Sequence, residues 1–212
     1  MIKMENKNQK LEEIAKKVAS CKKCSLYENA TNPVPGEGNP EAEIMFIGEG
    51  PGYWEDQKGV PFCGQAGKLL DELLQSIKVA RKDVFITNVV KHRPPGNRDP
   101  QPEEIEACKE FLDKQIEIIQ PKIIVTLGRF SMAKFIPDGK ISKIHGQARF
   151  VEFTGRKIIV IPMFHPAAAL RGEQVMRMLK EDFLKIPLFL KNNEKILETE
   201  QVKPQDNQLQ LI

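Results

Sequence analysis

Apolar residues along this chain gather in four short, dense runs, Glu43 to Ile47, Val84 to Val89, Lys122 to Leu127 and Lys157 to Pro162, all rich in Ile or Val. Runs of that length and density mark strands covered on both faces, as in a parallel sheet. Between them the period changes. Leu69, Leu70, Leu73 and Leu74 recur at helical spacing within Ala66 to Ile77, and Ile105, Cys108, Phe111 and Ile118 lie on or near one face of Pro102 to Ile119. Pro102-Glu103-Glu104 is a helix start, with proline in the first turn and carboxylates at the positive end of the dipole. Strands alternating with helices predict an α/β fold, a three-layer α/β/α sandwich around a central, mainly parallel four-stranded sheet. Arg149 to Phe153, leading into Thr154-Gly155-Arg156, reads as an added strand or hairpin arm.

The ends follow other patterns. Residues 9 to 19 read as an amphipathic helix entering the Cys21-x-x-Cys24 pair, and Gln174 to Lys191 as a terminal helix bent or stopped before Pro187. Beyond Asn192 there is little to bury until Gln208-Leu209-Gln210-Leu211-Ile212. The expected organisation is one domain over 1–191 and a flexible tail over 192–212.

Composition narrows the function classes. No apolar run approaches the roughly 18 to 20 residues of a membrane span, and MIKMENKNQK has no apolar core like that of a signal peptide, so a cytoplasmic protein is expected. A net charge of +3 permits a nucleic-acid partner without demanding one. Four cysteines are too few for a disulfide framework, and Cys21-x-x-Cys24 reads better as a metal or redox site.

Two segments carry candidate chemistry. Gly48-Glu49-Gly50-Pro51-Gly52 follows the first strand and Phe164-His165-Pro166-Ala167-Ala168-Ala169-Leu170 the last. The carboxyl ends of parallel strands share one edge of a sheet, so the two segments can share one crevice. The glycine loop is not G-x-G-x-x-G and no G-K-[ST] follows, which weakens a nucleotide-cofactor reading. Phe62, held between Gly59 and Gly64, is either a stacking platform for a flat ligand or a core plug. Asn88, at the end of the second strand, offers the donor and acceptor needed to read a nucleobase edge, or is a plain turn residue. The stiff loop from Lys91 to Arg98 carries the cations Lys91, Arg93 and Arg98, suited to phosphate or merely solvated.

Together the motifs GEGPG, EDxxGxPFxGxAG, TNVVKxRPPGNR and HPAAAL resemble the family 4 uracil-DNA glycosylases, the iron-sulfur branch of that superfamily, over roughly residues 10 to 190. The resemblance implies a monofunctional hydrolase of base excision repair that cuts the N-glycosidic bond of deoxyuridine in DNA, working on a nucleotide flipped out of the duplex. By similarity Phe62 stacks on the uracil, Asn88 bonds its O4 and N3 edge, and Glu55 walls the pocket against a thymine methyl. His165, best as a neutral donor, would meet the charge growing on the departing base, together with backbone N–H groups near Glu49 and Gly50. Glu49 is the first candidate for activating water, with Asn97 as its partner. Leu170 and Arg171 stand where the superfamily inserts a wedge into the base stack, with Lys91, Arg93 and Arg98 as phosphate clamps.

The same resemblance implies a [4Fe–4S] cluster held by four cysteines. Cys21, Cys24 and Cys108 match, while His92 occupies the remaining position, and a Cys₃His set is also a common structural zinc site. Cys63, beside Phe62, belongs near the pocket. The ending QLQLI resembles the short peptide by which bacterial repair and replication proteins dock on the sliding clamp. The expected partners are uracil-containing DNA and that clamp, with the chain a monomer. Two competing readings are a superfamily binder that crosslinks to abasic DNA, with His145 the nearest candidate nucleophile, and a non-catalytic DNA- or clamp-associated scaffold.

Overall fold

The computed structural model describes residues 6–192. Six strands form one sheet: β1 (Glu37–Gly38), β2 (Ile44–Gly48), β3 (Phe85–Asn88), β4 (Ile123–Leu127), β5 (Arg149–Phe153) and β6 (Arg156–Met163), in spatial order β1-β3-β2-β4-β6-β5. The four inner strands are parallel and match the four apolar runs, while β1 and β5 pair antiparallel at the edges. The expected four-stranded sheet is therefore six-stranded. The hairpin arm at Arg149 to Phe153 supplies one edge through the two-residue turn Thr154-Gly155, whose φ values of 50° and 76° fit the strand twist. The two-residue β1 is too short and too exposed to leave a periodic signal.

The helices are α1 (Lys7–Ala19), α2 (Leu26–Asn29), α3 (Tyr53–Lys58), α4 (Gln65–Ser76), α5 (Pro102–Ile119), α6 (Arg129–Ala133), α7 (Ile141–Ile144), α8 (Pro166–Ala169) and α9 (Glu173–Phe183). Strand side chains alternate, so each inner strand feeds two cores. Ile44, Phe46, Ile86, Val125, Ile159 and Ile161 pack against α4 and α9 through Leu69, Leu70, Leu73, Leu74, Leu179 and Phe183. Met45, Ile47, Phe85, Ile124 and Val160 pack on the other face against Leu112, Ile116 and Ile119 of α5. Truncating a leucine in such a core typically costs about 2–5 kcal/mol. Helix α1 adds a partial outer layer, setting Ile14 and Val18 on Phe111. After α9 a turn at Leu184 and Lys185 leads to a second helical segment from Ile186, with Pro187 in its first turn, which agrees with a terminal helix interrupted before that proline.

The chain runs from β2 out to β3 and then returns past β2 to β4, so consecutive connections diverge between β2 and β4. In an open α/β sheet a crevice forms at such a reversal, beyond the carboxyl ends of the strands. Residues 193–212, including the clamp-like peptide Gln208–Ile212, lie outside the described residues. Among the described residues no helix is long and apolar enough to cross a membrane.

Candidate active site

A cleft of about 520 Å³ opens at that reversal. Its walls come from the carboxyl ends of all four inner strands: Glu49, Gly50 and Gly52 after β2, Asn88 at the end of β3, Gly128 and Arg129 after β4, and Phe164 and His165 after β6. Glu55, Phe62, Asn97, Arg98 and Arg171 complete the predicted set that shares it.

His165 is the N-cap residue of α8, and its Nδ1 accepts the Ala167 backbone N–H at 3.1 Å. In a neutral ring the proton is then on Nε2, which is left as a donor. Burial, helped by the Arg171 cation, lowers the ring pKa from 6.5 to about 4. His165 stacks on Phe62 with ring centroids 5.5 Å apart and planes at 28°.

Phe62 adopts a left-handed backbone, φ 49°, which costs energy in a bulky non-glycine residue. The turn is held from outside. Arg81 donates through Nη2 to the Pro61 carbonyl at 2.6 Å and through Nη1 to the Phe62 carbonyl at 3.4 Å, while Glu55 Oε1 accepts the N–H groups of Cys63 and Gly64, both at 3.1 Å. A Cβ built on Gly67 would collide with the Phe62 carbonyl, which explains the glycine there.

Asn88 is almost wholly buried, and its Oδ1 has no hydrogen-bond partner. A buried acceptor left open in a cleft wall is costly unless a ligand completes it. The backbone of Gly48 approaches so closely that a Cβ there would lie 2.7 Å from Phe62 Cζ and closer still to Asn88 Oδ1. Glu49 is partly buried, and burial with the nearby Asp99 charge pushes its carboxyl above the ordinary range, against a smaller opposite pull from Arg129.

The predicted cations divide. Arg171 lines the cleft. Leu170, 49% exposed, sits beside it at the end of α8, available as a projecting apolar residue. Arg93 donates through Nε to Asn97 Oδ1 at 2.7 Å. Arg98 lines the cleft but is forked onto buried Glu104, at 2.6 and 2.8 Å, and so also secures the start of α5. Lys91 is a correction. Expected as a phosphate clamp, it is fully buried, its Nζ donating to Thr87 Oγ1 at 2.7 Å, the Asn88 carbonyl at 2.8 Å and Gln115 Oε1 at 2.8 Å. Burial lowers its pKa to about 7. It braces the back of Asn88 and is unavailable to a phosphate.

Arg129 and Asp99, which line the cleft, and Arg81, which holds the Phe62 turn, lie outside the motifs. Gly128-Arg129 directly follows the third inner strand, so the strand-edge argument that found the other loops applies to it equally. Arg81 carries no motif, and only its reach to two carbonyls reveals it. His145, the alternative nucleophile, is held through Nδ1 by buried Asp182 at 2.6 Å, with its ring against Phe164 at 4.6 Å.

The predicted metal set is brought together only in part. Cys21, Cys24 and Cys108 lie close enough for their charges to act on one another. Burial raises the pKa of Cys24 and of Cys108, the latter to about 11, while the backbone N–H groups of Leu26 and Lys91 pull each part of the way back toward the thiolate. The charge acting on the buried His92 ring is instead Asp56. Among the described residues no three His, Cys, Asp or Glu side chains converge tightly enough to hold an ion. The three thiols suit a metal–thiolate group in chemistry, but as placed they do not converge on one ion. The His92 ring, as placed, does not complete the set.

The uracil DNA glycosylase superfamily model matches residues 35–186, which include every strand and the whole cleft. The chain belongs to that superfamily. It is 52% identical over 183 residues to the type-4 uracil-DNA glycosylase of Sulfurisphaera tokodaii, with 83% of each chain covered. It is 50% identical to the type-4 enzyme of Archaeoglobus fulgidus, over 83% of this chain and 91% of that one, and 44% identical to that of Thermotoga maritima, over 89% and 98%. The α/β architecture is thus the family's, and the cleft is the place in it to look for the chemistry.

Proposed function

We propose that the chain is a uracil-DNA glycosylase of base excision repair, hydrolysing the N-glycosidic bond of deoxyuridine to release uracil and leave an abasic site. The observation that carries this reading is the open acceptor of Asn88, buried in the same cleft as the Phe62–His165 stack. Uracil is flat, presents an N3–H donor beside O4, and leaves as an anion. Phe62 offers the flat face, Asn88 Oδ1 accepts N3–H while its amide donates to O4, and His165 Nε2–H donates to O2. As the bond lengthens, charge collects on the uracil oxygens, so a donor already in place stabilises the transition state more than the ground state. Glu49, held partly protonatable by its burial, orients or deprotonates the water, with Asn97 nearby. Glu55 fixes the loop that carries Phe62 and borders the space beside the base. Leu170 enters the vacated stack while Arg93, Arg98 and Arg171 meet the strand.

Cys21, Cys24 and Cys108 would hold an iron-sulfur cluster, and His92 would join them as fourth ligand only by turning from the position it has here. The cluster would tie the segment after α1 to α5 and contributes no step to base release. Zinc on the same residues is the alternative. We also propose, from the sequence, that the chain works as a monomer in the cytoplasm and that Gln208–Ile212 docks on a sliding clamp.

The test is uracil release from an oligonucleotide carrying one deoxyuridine. Free uracil and an alkali-labile site are expected, with strong losses in Phe62→Ala, Asn88→Ala and His165→Ala. Absence of free uracil from the metal-replete chain contradicts the proposal, and a protein–DNA band surviving denaturation would favour the crosslinking reading instead.

A further inference from the structure

We propose that Tyr53, Trp54 and Arg93 form a second nucleobase site, a stacking platform at the mouth of the cleft that takes an unpaired base of the strand beside the uracil. The inference rests on the proposed function for its substrate strand. Tyr53 and Trp54 are 49% and 55% exposed, and their rings meet edge to face with centroids 5.2 Å apart. They begin α3 and sit in sequence between Gly52 and Glu55, both of which line the cleft. The Arg93 guanidinium lies 5.2 Å from the centre of the Tyr53 ring, and its Nε is held by Asn97, another cleft residue.

The position of the pair is imposed from below. Glu55 is tied to the backbone of Cys63 and Gly64, and buried Asp56 accepts the Thr31 N–H at 2.8 Å. Trp54 packs over Gly64, so that a Cβ on that glycine would lie 3.4 Å from the indole. Two large rings are therefore kept half in water on an anchored turn, with a cation against one of them. That combination suits a ligand with a flat π face joined to an anion, which is a nucleotide. A base inside a duplex has both faces covered, so the platform serves a strand whose bases are unpaired.

Trp54 is the chain's single tryptophan, so intrinsic indole emission reports this site alone. The experiment titrates the full, metal-replete chain with uracil-free oligothymidylate, following Trp54 emission together with anisotropy of the labelled strand. Saturable quenching that parallels binding is expected, weaker for the same strand annealed to its complement. Tyr53→Ala and Trp54→Leu, both at exposed positions, should each weaken oligothymidylate binding by about tenfold. Unchanged emission while anisotropy shows binding, no binding of oligothymidylate, or equal quenching by the duplex would each overturn the platform. Quenching in a preparation that releases no uracil would sink the glycosylase reading while leaving the platform standing.

Discussion

His165 accepts the Ala167 backbone N–H on Nδ1 at 3.1 Å, and that bond determines which ring nitrogen faces the substrate. With Nδ1 occupied as an acceptor, a neutral ring carries its proton on Nε2. The lowered pKa of about 4 keeps the ring neutral at physiological pH. Uracil release should therefore show no inflection near 6.5, where a free histidine titrates. Linkage gives a second readout. Between pH 6.5 and about 4 the unfolded chain takes up a proton that the folded ring refuses, so this contribution to stability is complete above 6.5 and is lost as pH falls toward 4. Denaturant unfolding across that range should show the loss in the wild type and a smaller one in His165→Gln.

Glu49 should own the acid limb of activity. Its carboxyl is raised above 4.5 by burial first and by Asp99 second, so a base at this position becomes protonated before His165 does as pH falls. The expected kcat profile falls with an apparent pKa above 4.5, and Asp99→Asn moves that limb down. Glu49→Gln abolishes the limb along with most of the rate, by about 10²-fold or more. A limb that persists in Glu49→Gln would assign the base elsewhere.

Gly48→Ala tests how tightly the base pocket is drawn. The added methyl would displace Phe62 and Asn88 together. A loss of kcat/KM on the order of tenfold to a hundredfold is expected, with the fold retained, since one misplaced hydrogen bond to a buried polar group costs about 1–3 kcal/mol. Kinetics beside a thermal melt separate the two effects.

Arg81→Met should disturb Phe62 without touching the substrate. The guanidinium fork captures two successive carbonyls around a strained residue, so Arg81→Lys, with one donor point, should rescue poorly. The expected outcome is a raised KM and a lower melting temperature in both variants. A wild-type KM in Arg81→Met would show that the turn holds itself.

His92→Cys should raise the iron bound per chain, because a fourth thiol would then be available next to Lys91, whose backbone lies near enough to act on Cys108. Iron analysis and the visible absorption spectrum report it. Unchanged iron content in His92→Ala would remove His92 from the ligand set altogether.

The sheet was legible in the sequence because its inner strands are apolar on both faces, and α5 because Pro102, Glu103 and a helical stripe coincide. The edge strand β1 and the short helices α6 to α8 were not, since two to five residues carry no period. Among site residues, most of those in motif-bearing loops at strand ends line the cleft, while Arg93 and Leu170 sit next to residues that do. The burial of Lys91 was not legible, because its two cationic neighbours, Arg93 and Arg98, suggested a solvated loop, whereas the polar partners that let a lysine be buried, Thr87 and Gln115, lie in other elements. Arg129 was overlooked although Leu127 ends a strand on the same edge.

The most direct measurement compares single-turnover release of uracil and of 5-fluorouracil, a better-stabilised leaving anion, by the wild type and by His165→Ala. If His165 stabilises the leaving charge, its loss costs on the order of 10²–10³-fold for uracil and distinctly less for 5-fluorouracil. Equal losses on both substrates would contradict that role.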